Sequence, residues 1–345
     1  MRKKSDVFMI IIIFWLSSFG FLRTSYNDTE TYAKLFAEAQ SLSEGWINGS
    51  FTKWSENPLY ELYISFIRSL TDNYHIFFLF PAAMYNLVFV KLCKQYSVSP
   101  SVSLLIYFSI GTYIMYVAAL KQSFAFGFLL FAVPYLIEKK YGRFYLFVAL
   151  ASLFHVFAVL FAVLPFVIEK PWGKRTWILC AVMVGAMLTY DETLGSILEY
   201  ADTVDVNMKS EEVFFDQQLS VLRVLVYFAP GFISLVFRKR LFTNAGRKEY
   251  TFVMISIFSA LILMLGMVKG ANLFSRMAGF FDFSSAIILP WMIYKLFNKR
   301  SAQFVTIVAV FLYFGYFMYE FAVTKDFGNN YKAITMTEFI ISLFR

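Results

Sequence analysis

Long runs of apolar residues recur along this chain, and their recurrence limits its fold more than any other feature. A helix of about 20 apolar residues crosses the hydrocarbon core of a bilayer. Such runs occupy residues 7–22, 74–93, 100–119, 121–137, 144–168, 176–190, 219–237, 250–268, 277–296 and 303–322. The sequence therefore predicts an all-α, polytopic integral membrane protein with about 10–11 membrane helices, forming a single domain over residues 1–345.

Composition excludes two broad classes of protein. Hydrophobic residues make up 59% of the 345 residues, charged residues 16%, and the mean hydropathy is +0.62. A soluble domain of this length needs more polar surface. The net charge of +8 comes from Lys and Arg in short loops between apolar runs, a pattern that orients membrane proteins and does not indicate nucleic acid as a partner. Cys93 and Cys180 have no disulfide or metal-ligand spacing.

Two segments need separate interpretation. The N-terminal MRKKSD followed by VFMIIIIFWLSSFGFL resembles a signal peptide, but Ser18-Phe19-Gly20 is a poor cleavage site, so we expect an uncleaved first helix. The segment 58–70 has apolar residues on one helical face. At 1.5 Å per residue its helix reaches only about 20 Å, so an interfacial or re-entrant helix is predicted.

Loop charge predicts the topology. Arg2, Lys3 and Lys4 place the N-terminus in the cytoplasm and the loop 23–57 outside. If the run 144–168 crossed the membrane once, the basic loop 238–249 would lie outside. The loop 191–218, with eight acids against Lys209, would then lie inside. Both loops take the expected side if the run bends near His155 and returns, so a short re-entrant pair is predicted at 144–168.

On this topology the unusual polar residues gather at the outer side. Fixed cations stabilise charge on a phosphate leaving group, which points to Arg23, Lys121 and Arg276. The same side carries the amides of Gln122 and Asn57, the carboxylates of Glu56 and Asp28, and the imidazole of His155. No metal-ligand set and no phosphate-binding glycine loop is evident, so the sequence predicts no metal and no cofactor.

Each candidate also has a purely structural interpretation. Arg23 and Arg276 flank helices, where arginines often extend toward the membrane interface. Glu56 precedes Pro58 and could complement the positive end of a helix. His155 could be a neutral, hydrogen-bonded core residue, Lys121-Gln122 a cap between two spans, and Asp28 a solvated loop acid.

Short motifs in a fixed order resemble the EpsG-like family, bacterial membrane proteins related in role to the Wzy-type polymerases of O-antigen, capsule and exopolysaccharide. The resemblance covers about residues 10–325. Two departures from the family pattern are Lys121, where Arg is usual, and Tyr26-Asn27, where Gly is usual. The motifs are R-x4-D-x3-Y (Arg23, Asp28, Tyr32), E-N-P-L-Y (Glu56–Tyr60), K-Q-x2-A (Lys121, Gln122, Ala125), L-F-H (Leu153–His155) and a late Arg276.

The resemblance implies an inverting, metal-independent glycosyltransferase at the outer face of the bacterial cytoplasmic membrane. Its donor and acceptor would be oligosaccharides linked to undecaprenyl pyrophosphate, with membrane lipid and a chain-length regulator protein as further partners. One of His155, Glu56 and Asp28 would be the base. Arg23, Lys121 and Arg276 would hold the pyrophosphate, and Gln122 and Asn57 the sugar.

Two other functions remain open on the sequence. A flippase or transporter for lipid-linked sugars predicts inverted repeats and polar residues through the whole membrane depth. A membrane acyltransferase modifying a cell-surface polysaccharide also employs a histidine base, and predicts an acyl-donor site open to the cytoplasm.

Overall fold

The architecture is almost entirely helical, as the apolar runs predict. The computed structural model describes residues 2–47, 57–189, 217–324 and 327–344, and it is 80% helical. The helices are α1 (Arg2–Phe21), α2 (Thr29–Glu38), α3 (Leu42–Ile47), α4 (Pro58–Arg68), α5 (Tyr74–Tyr96), α6 (Pro100–Ser109), α7 (Thr112–Ala118), α8 (Leu120–Ile137), α9 (Tyr141–Ser152), α10 (Leu164–Val167), α11 (Lys174–Leu188), α12 (Val221–Val236), α13 (Arg238–Leu241), α14 (Arg247–Leu265), α15 (Ala271–Leu296), α16 (Lys299–Phe317), α17 (Phe327–Asn330) and α18 (Met336–Ser342).

Two irregular helical segments and two strands complete the described part. A 3-10 helix, Val156–Val163, leads into α10, and a π-helical segment, Met318–Thr324, continues α16. Strand β1 (Arg23–Ser25) pairs antiparallel with β2 (Lys332–Ala333). The pairing joins the chain just after α1 to the C-terminal segment.

In the part of the chain that the structure describes, five helices are long and apolar enough to cross a membrane. Four are α5, α8, α14 and α15, and the fifth is α16 with its π-helical extension, through residue 322. α15 is the most enclosed, with 89% of its central residues buried, whereas the last span has only 28% buried and lies at the periphery. The predicted polytopic membrane fold is confirmed.

The predicted span 100–119 is not one continuous helix. It divides into α6 and α7 at Gly111, whose φ of +87° is readily adopted only by glycine. A Cβ atom at Gly111 would lie 2.2 Å from Cζ of Phe321, so the break is also a close-packing point. Sequence periodicity gave no sign of this break. It lets α7 end one residue before α8 begins, which fixes the position of Lys121.

The run 144–168 is a bent pair of short helices, as loop charge predicts. α9 ends at Ser152, His155 is extended, and the 3-10 helix then runs back along α9. The Tyr145 hydroxyl lies 3.5 Å from the Ala162 carbonyl oxygen, and the rings of Phe144 and Phe161 stack at 6.0 Å. The two halves are therefore antiparallel, and His155 occupies the bend.

Contacts at the two ends of the bundle show which way the hairpin points. At its bend, the Leu59 N–H donates to the Leu153 carbonyl (3.2 Å). At its base, the Arg247 guanidinium donates to the Leu136 carbonyl (3.3 Å) and to the Tyr141 hydroxyl (3.2 Å). The end that holds the bend is called the site end below, and the end that holds Arg247 is called the basic end.

The strand pairing agrees with a hairpin that returns. If each of α5, α6–α7, α8, α11, α12, α14, α15 and α16 crosses once, a returning hairpin leaves β2 on the same side as β1. A hairpin that crossed would put the two strands on opposite sides, where they could not pair. Their pairing therefore supports the re-entrant interpretation independently of loop charge.

Candidate functional site

His155 is held at the hairpin bend by a capping hydrogen bond. Its backbone is extended (φ −158°, ψ 120°), and its Nδ1 accepts the Phe157 backbone N–H at 3.3 Å, as a side chain does at the start of a helix. On the other side the ring meets the edge of Phe280 at 5.8 Å between centroids. The bend therefore orients the ring toward α8 and α15.

Gln122 and Lys121 approach His155 from the first turn of α8. The Gln122 amide nitrogen lies 3.2 Å from Nε2 of His155, and the side chain is only 4% exposed. Its Oε1 has no hydrogen-bond partner among the described residues. Lys121 places its Nζ 5.2 Å above the ring of Tyr60, within the range of a cation–π contact.

Arg276 reaches the same place from the start of α15. Gly270, in a left-handed conformation (φ +73°), forms the turn that precedes the helix, and Arg276 stands one turn before Phe280. The pKa of His155 is lowered to about 3, mainly because the ring is removed from water and in addition because of the charges of Arg276 and Lys121. The histidine is therefore neutral at physiological pH. Neither cation has a carboxylate within 4 Å in the described part of the chain.

Tyr32 and Tyr60 line the site from the segment that follows α1. Their rings lie 6.3 Å apart, and the Tyr32 phenol is beside the backbone N–H of Lys121. The pKa of Tyr32 is raised to about 12, mainly by burial and in addition by the Asp28 charge. The Arg276 charge acts in the opposite direction. Tyr32 is thus close enough to the predicted acid and to the predicted cation Arg276 for both charges to affect it.

Asn57 begins α4 next to the hairpin bend. Its side chain makes no capping hydrogen bond, and the Leu59 N–H two residues later donates to Leu153. Asn57 therefore lies near the hairpin bend with an amide that caps no helix. Glu56, the residue before it, lies outside the described residues.

Arg23 lies beneath the site and has no access to solvent in this conformation. It is 1% exposed, its Nε donates to Thr29 Oγ1 at 3.0 Å, and its guanidinium lies 4.1 Å from the centre of the Phe78 ring. It also donates to the Gly20 carbonyl. Burial lowers the pKa of Arg23 to about 10, so it stays charged. Its Nη2 has no partner among the described atoms.

Asp28 is exposed at the edge of the site. It precedes α2, where its side chain makes no cap, and it follows Asn27, whose φ is +44°. A cavity of about 440 Å³ opens here, and its lining is Ser25, Tyr26, Asn27 and Asn330. This cavity lies beside Asp28 and does not contain His155.

A second polar cluster lies next to the site and was not predicted. Arg223 forms an ion pair with Glu320 and lies 3.4 Å from the Ser275 hydroxyl, which precedes the site arginine. Ser259 donates to the buried Asp282 deeper in the bundle. The available sequence signal was Glu320, one acid inside an apolar run, because such a group needs a partner at membrane depth.

The structure thus brings together Lys121, Gln122, His155 and Arg276, with Asn57 and Asp28 at the rim and Arg23 buried below. No group of three His, Cys, Asp or Glu side chains comes together among the described residues.

Comparison with known proteins gave one match. A family model described as the EpsG family matches residues 6–334, nearly the whole chain. No curated protein and no solved structure matches it.

Proposed function

The chain belongs to the EpsG family of membrane proteins, which act in polysaccharide biosynthesis, and we propose that it polymerises oligosaccharide repeat units. The reaction transfers a glycan from undecaprenyl pyrophosphate onto a second lipid-linked repeat unit, and undecaprenyl pyrophosphate leaves. The observation that carries the proposal is the convergence of two cations without carboxylate partners, two uncapped or partly unpaired amides and two tyrosines at one end of a membrane bundle.

The cations suit an anionic leaving group. Lys121 and Arg276 belong to two different helices, and the charges of both lower the pKa of His155. Their charges therefore flank a common space. Charge that develops on a departing pyrophosphate is stabilised by groups already fixed in position. Arg can bind two phosphate oxygens at once, whereas Lys offers a point charge, so Arg276 is assigned the closer contact. The buried Arg23 adds a positive charge below the site at longer range.

The sugar partners are assigned from the remaining side chains. Gln122 and Asn57 each present an amide that the described residues do not fully satisfy. Tyr60 offers a ring beside Lys121 for a sugar face. The base that removes the acceptor proton is one of His155, Glu56 and Asp28. Asp28 follows Asn27, which lines the polar cavity, so we assign the acceptor to that cavity.

Orientation follows from the charges at the basic end. This end carries Arg238, Lys239, Arg240 and Lys248, and loops rich in Lys and Arg stay in the cytoplasm. We therefore assign the site end to the outer face of the cytoplasmic membrane, with the N-terminus inside. A chain-length regulator protein and membrane lipid are expected partners.

The test is the length of the polysaccharide in a strain that depends on this protein. Arg276→Ala is expected to leave single repeat units on the lipid carrier while the protein stays in the membrane. Removal of one charge-stabilising donor lowers turnover by about 10²–10³. The matched control is Arg240→Ala at the basic end, which removes an exposed arginine far from the site and should leave chains at full length.

The same experiment separates the alternatives. Single repeat units retained outside the cell indicate a polymerase. No outward-facing units indicate a flippase, and full-length chains without acyl groups indicate an acyltransferase. Full-length, fully modified chains with Arg276→Ala would refute the proposed site.

A further inference from the structure

The hydrogen bonds around His155 determine which ring nitrogen carries the proton. Phe157 is buried, and its backbone N–H donates to Nδ1 of His155 at 3.3 Å. A buried backbone N–H needs an acceptor, and this one begins a 3-10 helix, where no carbonyl is available to it. Nδ1 must therefore present its lone pair. In a neutral imidazole the proton then sits on Nε2.

The contact of Nε2 with Gln122 determines how the amide is turned. As placed, the Gln122 nitrogen faces Nε2 at 3.2 Å, so two N–H donors would oppose each other, while the buried Oε1 has no partner among the described residues. A half-turn of the amide exchanges its nitrogen and oxygen at almost no change in shape. Oε1 then accepts from Nε2–H, so the two donors no longer oppose each other, and the NH₂ takes the position that has no partner among the described residues.

The neighbouring groups oppose the alternative, a doubly protonated ring. An imidazolium would aim an Nδ1–H at the Phe157 N–H and would add a positive charge beside Arg276 and Lys121. A base must have a free lone pair within hydrogen-bond reach of the proton that it removes. His155 has none, because one nitrogen caps the helix and the other holds the amide.

We infer that His155 is a positioning residue: its Nε2–H holds Oε1 of Gln122 and thereby turns the amide NH₂ of Gln122 toward an oxygen of the lipid-linked sugar donor. The inference rests on the proposed function, and it removes His155 from the candidates for the base. Asp28 and Glu56 remain. It also gives a reason for the buried glutamine: its NH₂ lacks an acceptor among the described residues, and in this proposal a substrate oxygen supplies one.

The first test is His155→Gln against His155→Ala, with polymerisation measured on purified protein and lipid-linked repeat units. A glutamine can place an N–H near the position of Nε2, but it has no basic nitrogen at neutral pH. A positioning role predicts that His155→Gln retains activity within about tenfold of the wild type, whereas loss of a general base costs about 10²–10⁴. Equal, large losses in both variants would overturn the inference.

The second test is a double-mutant cycle with Gln122→Ala. If His155 acts through Gln122, His155→Ala adds little to the loss that Gln122→Ala already causes. Independent, multiplying losses would show that His155 has its own role in the chemistry, against the inference. Arg276→Ala is measured in parallel: full activity in that variant contradicts the proposed function itself, whatever the His155 variants do.

The third test reads the tautomer without activity. Protein labelled with ¹⁵N-histidine, compared with His155→Gln to identify the signal, should show one protonated and one bare ring nitrogen for His155, with Nε2 protonated. This pattern should persist from pH 7.5 to pH 5.0. A proton on Nδ1, or on both nitrogens at pH 7.5, would overturn the inference.

Discussion

Gly111 is the residue whose replacement tests the broken helix most directly. Gly111→Ala adds a single methyl group, and its Cβ would lie 2.2 Å from Cζ and 2.3 Å from Cε2 of Phe321. The backbone at this position has φ +87°, which an alanine adopts only with strain. The change therefore combines a conformational cost with a steric one.

Relief of the clash by a backbone shift is restricted on both sides. Tyr227 donates its hydroxyl to the Ile110 carbonyl, and Tyr113 donates its hydroxyl to the Leu16 carbonyl at 2.6 Å. A left-handed conformation costs a non-glycine residue about 1–2 kcal/mol, and overpacking a well-packed core costs about 1–3 kcal/mol. We expect Gly111→Ala to lower the free energy of unfolding by about 2–5 kcal/mol.

The assay is thermal unfolding of the detergent-solubilised protein, followed by intrinsic fluorescence. The matched control is Gly142→Ala in α9, where a Cβ meets nothing within 4 Å and alanine favours the helix. In a Phe321→Ala background the steric part of the cost disappears. The cost of Gly111→Ala should then fall to its conformational part, about 1–2 kcal/mol. Equal midpoints for Gly111→Ala and Gly142→Ala would refute the reasoning.

Three further predictions concern the surroundings of the site. Glu320→Gln leaves the Arg223 charge without its carboxylate partner and should lower the free energy of unfolding by about 3–5 kcal/mol. The double change Arg223→Met with Glu320→Met should recover most of that loss. Thermal unfolding midpoints of the wild type and the variants test this. Trp172→Phe removes the buried hydrogen bond from Nε1 to the Ser234 hydroxyl (2.8 Å) and should lower the free energy of unfolding by about 1–3 kcal/mol. Trp177 is half exposed, so Trp177→Phe should lower it less. Similar unfolding midpoints for the two variants would contradict this prediction. The pKa of His155 is lower in the folded protein than in the unfolded chain. As the pH falls, the unfolded chain therefore binds a proton at His155 before the folded protein does. Stability is lost as the pH falls from about 6.5 toward 3. The midpoint should therefore fall less between pH 7.5 and pH 5.0 in His155→Gln than in the wild type, and an equal fall would show that His155 does not titrate this way.

Apolar periodicity and loop charge determined the membrane fold and the hairpin at 144–168. Both are one-dimensional properties: the length of an apolar run sets whether a helix can span, and the side of each basic loop sets the parity of crossings. His155 could be assigned to the bend on this basis because a run of 25 residues has to bend if it returns to its starting side. The order of short motifs was sufficient to indicate the family that the whole-chain match confirms.

Tertiary packing alone decided the break at Gly111 and the burial of Arg23. Gly111 lies in an apolar run that predicts one helix, and the close contact with Phe321, 210 positions away, leaves no room for a side chain at this turn. Arg23 reads as an interfacial cation, yet Thr29 and Phe78 enclose it. The contacts with Phe321 and Phe78 join residues far apart in the chain, which periodicity cannot detect.

Hydrogen-bond geometry decided the role inferred for His155, which the sequence offered as a base. The residue types at positions 122, 155 and 157 are compatible with a catalytic histidine or a structural one. The difference depends on which atoms face each other within about 3.3 Å. Composition and spacing therefore determined that this protein lies in a membrane and which side chains are candidates for its site. The packing of a hairpin against two helices determined which of those side chains meet, because directional bonds form only after the backbone is fixed in three dimensions.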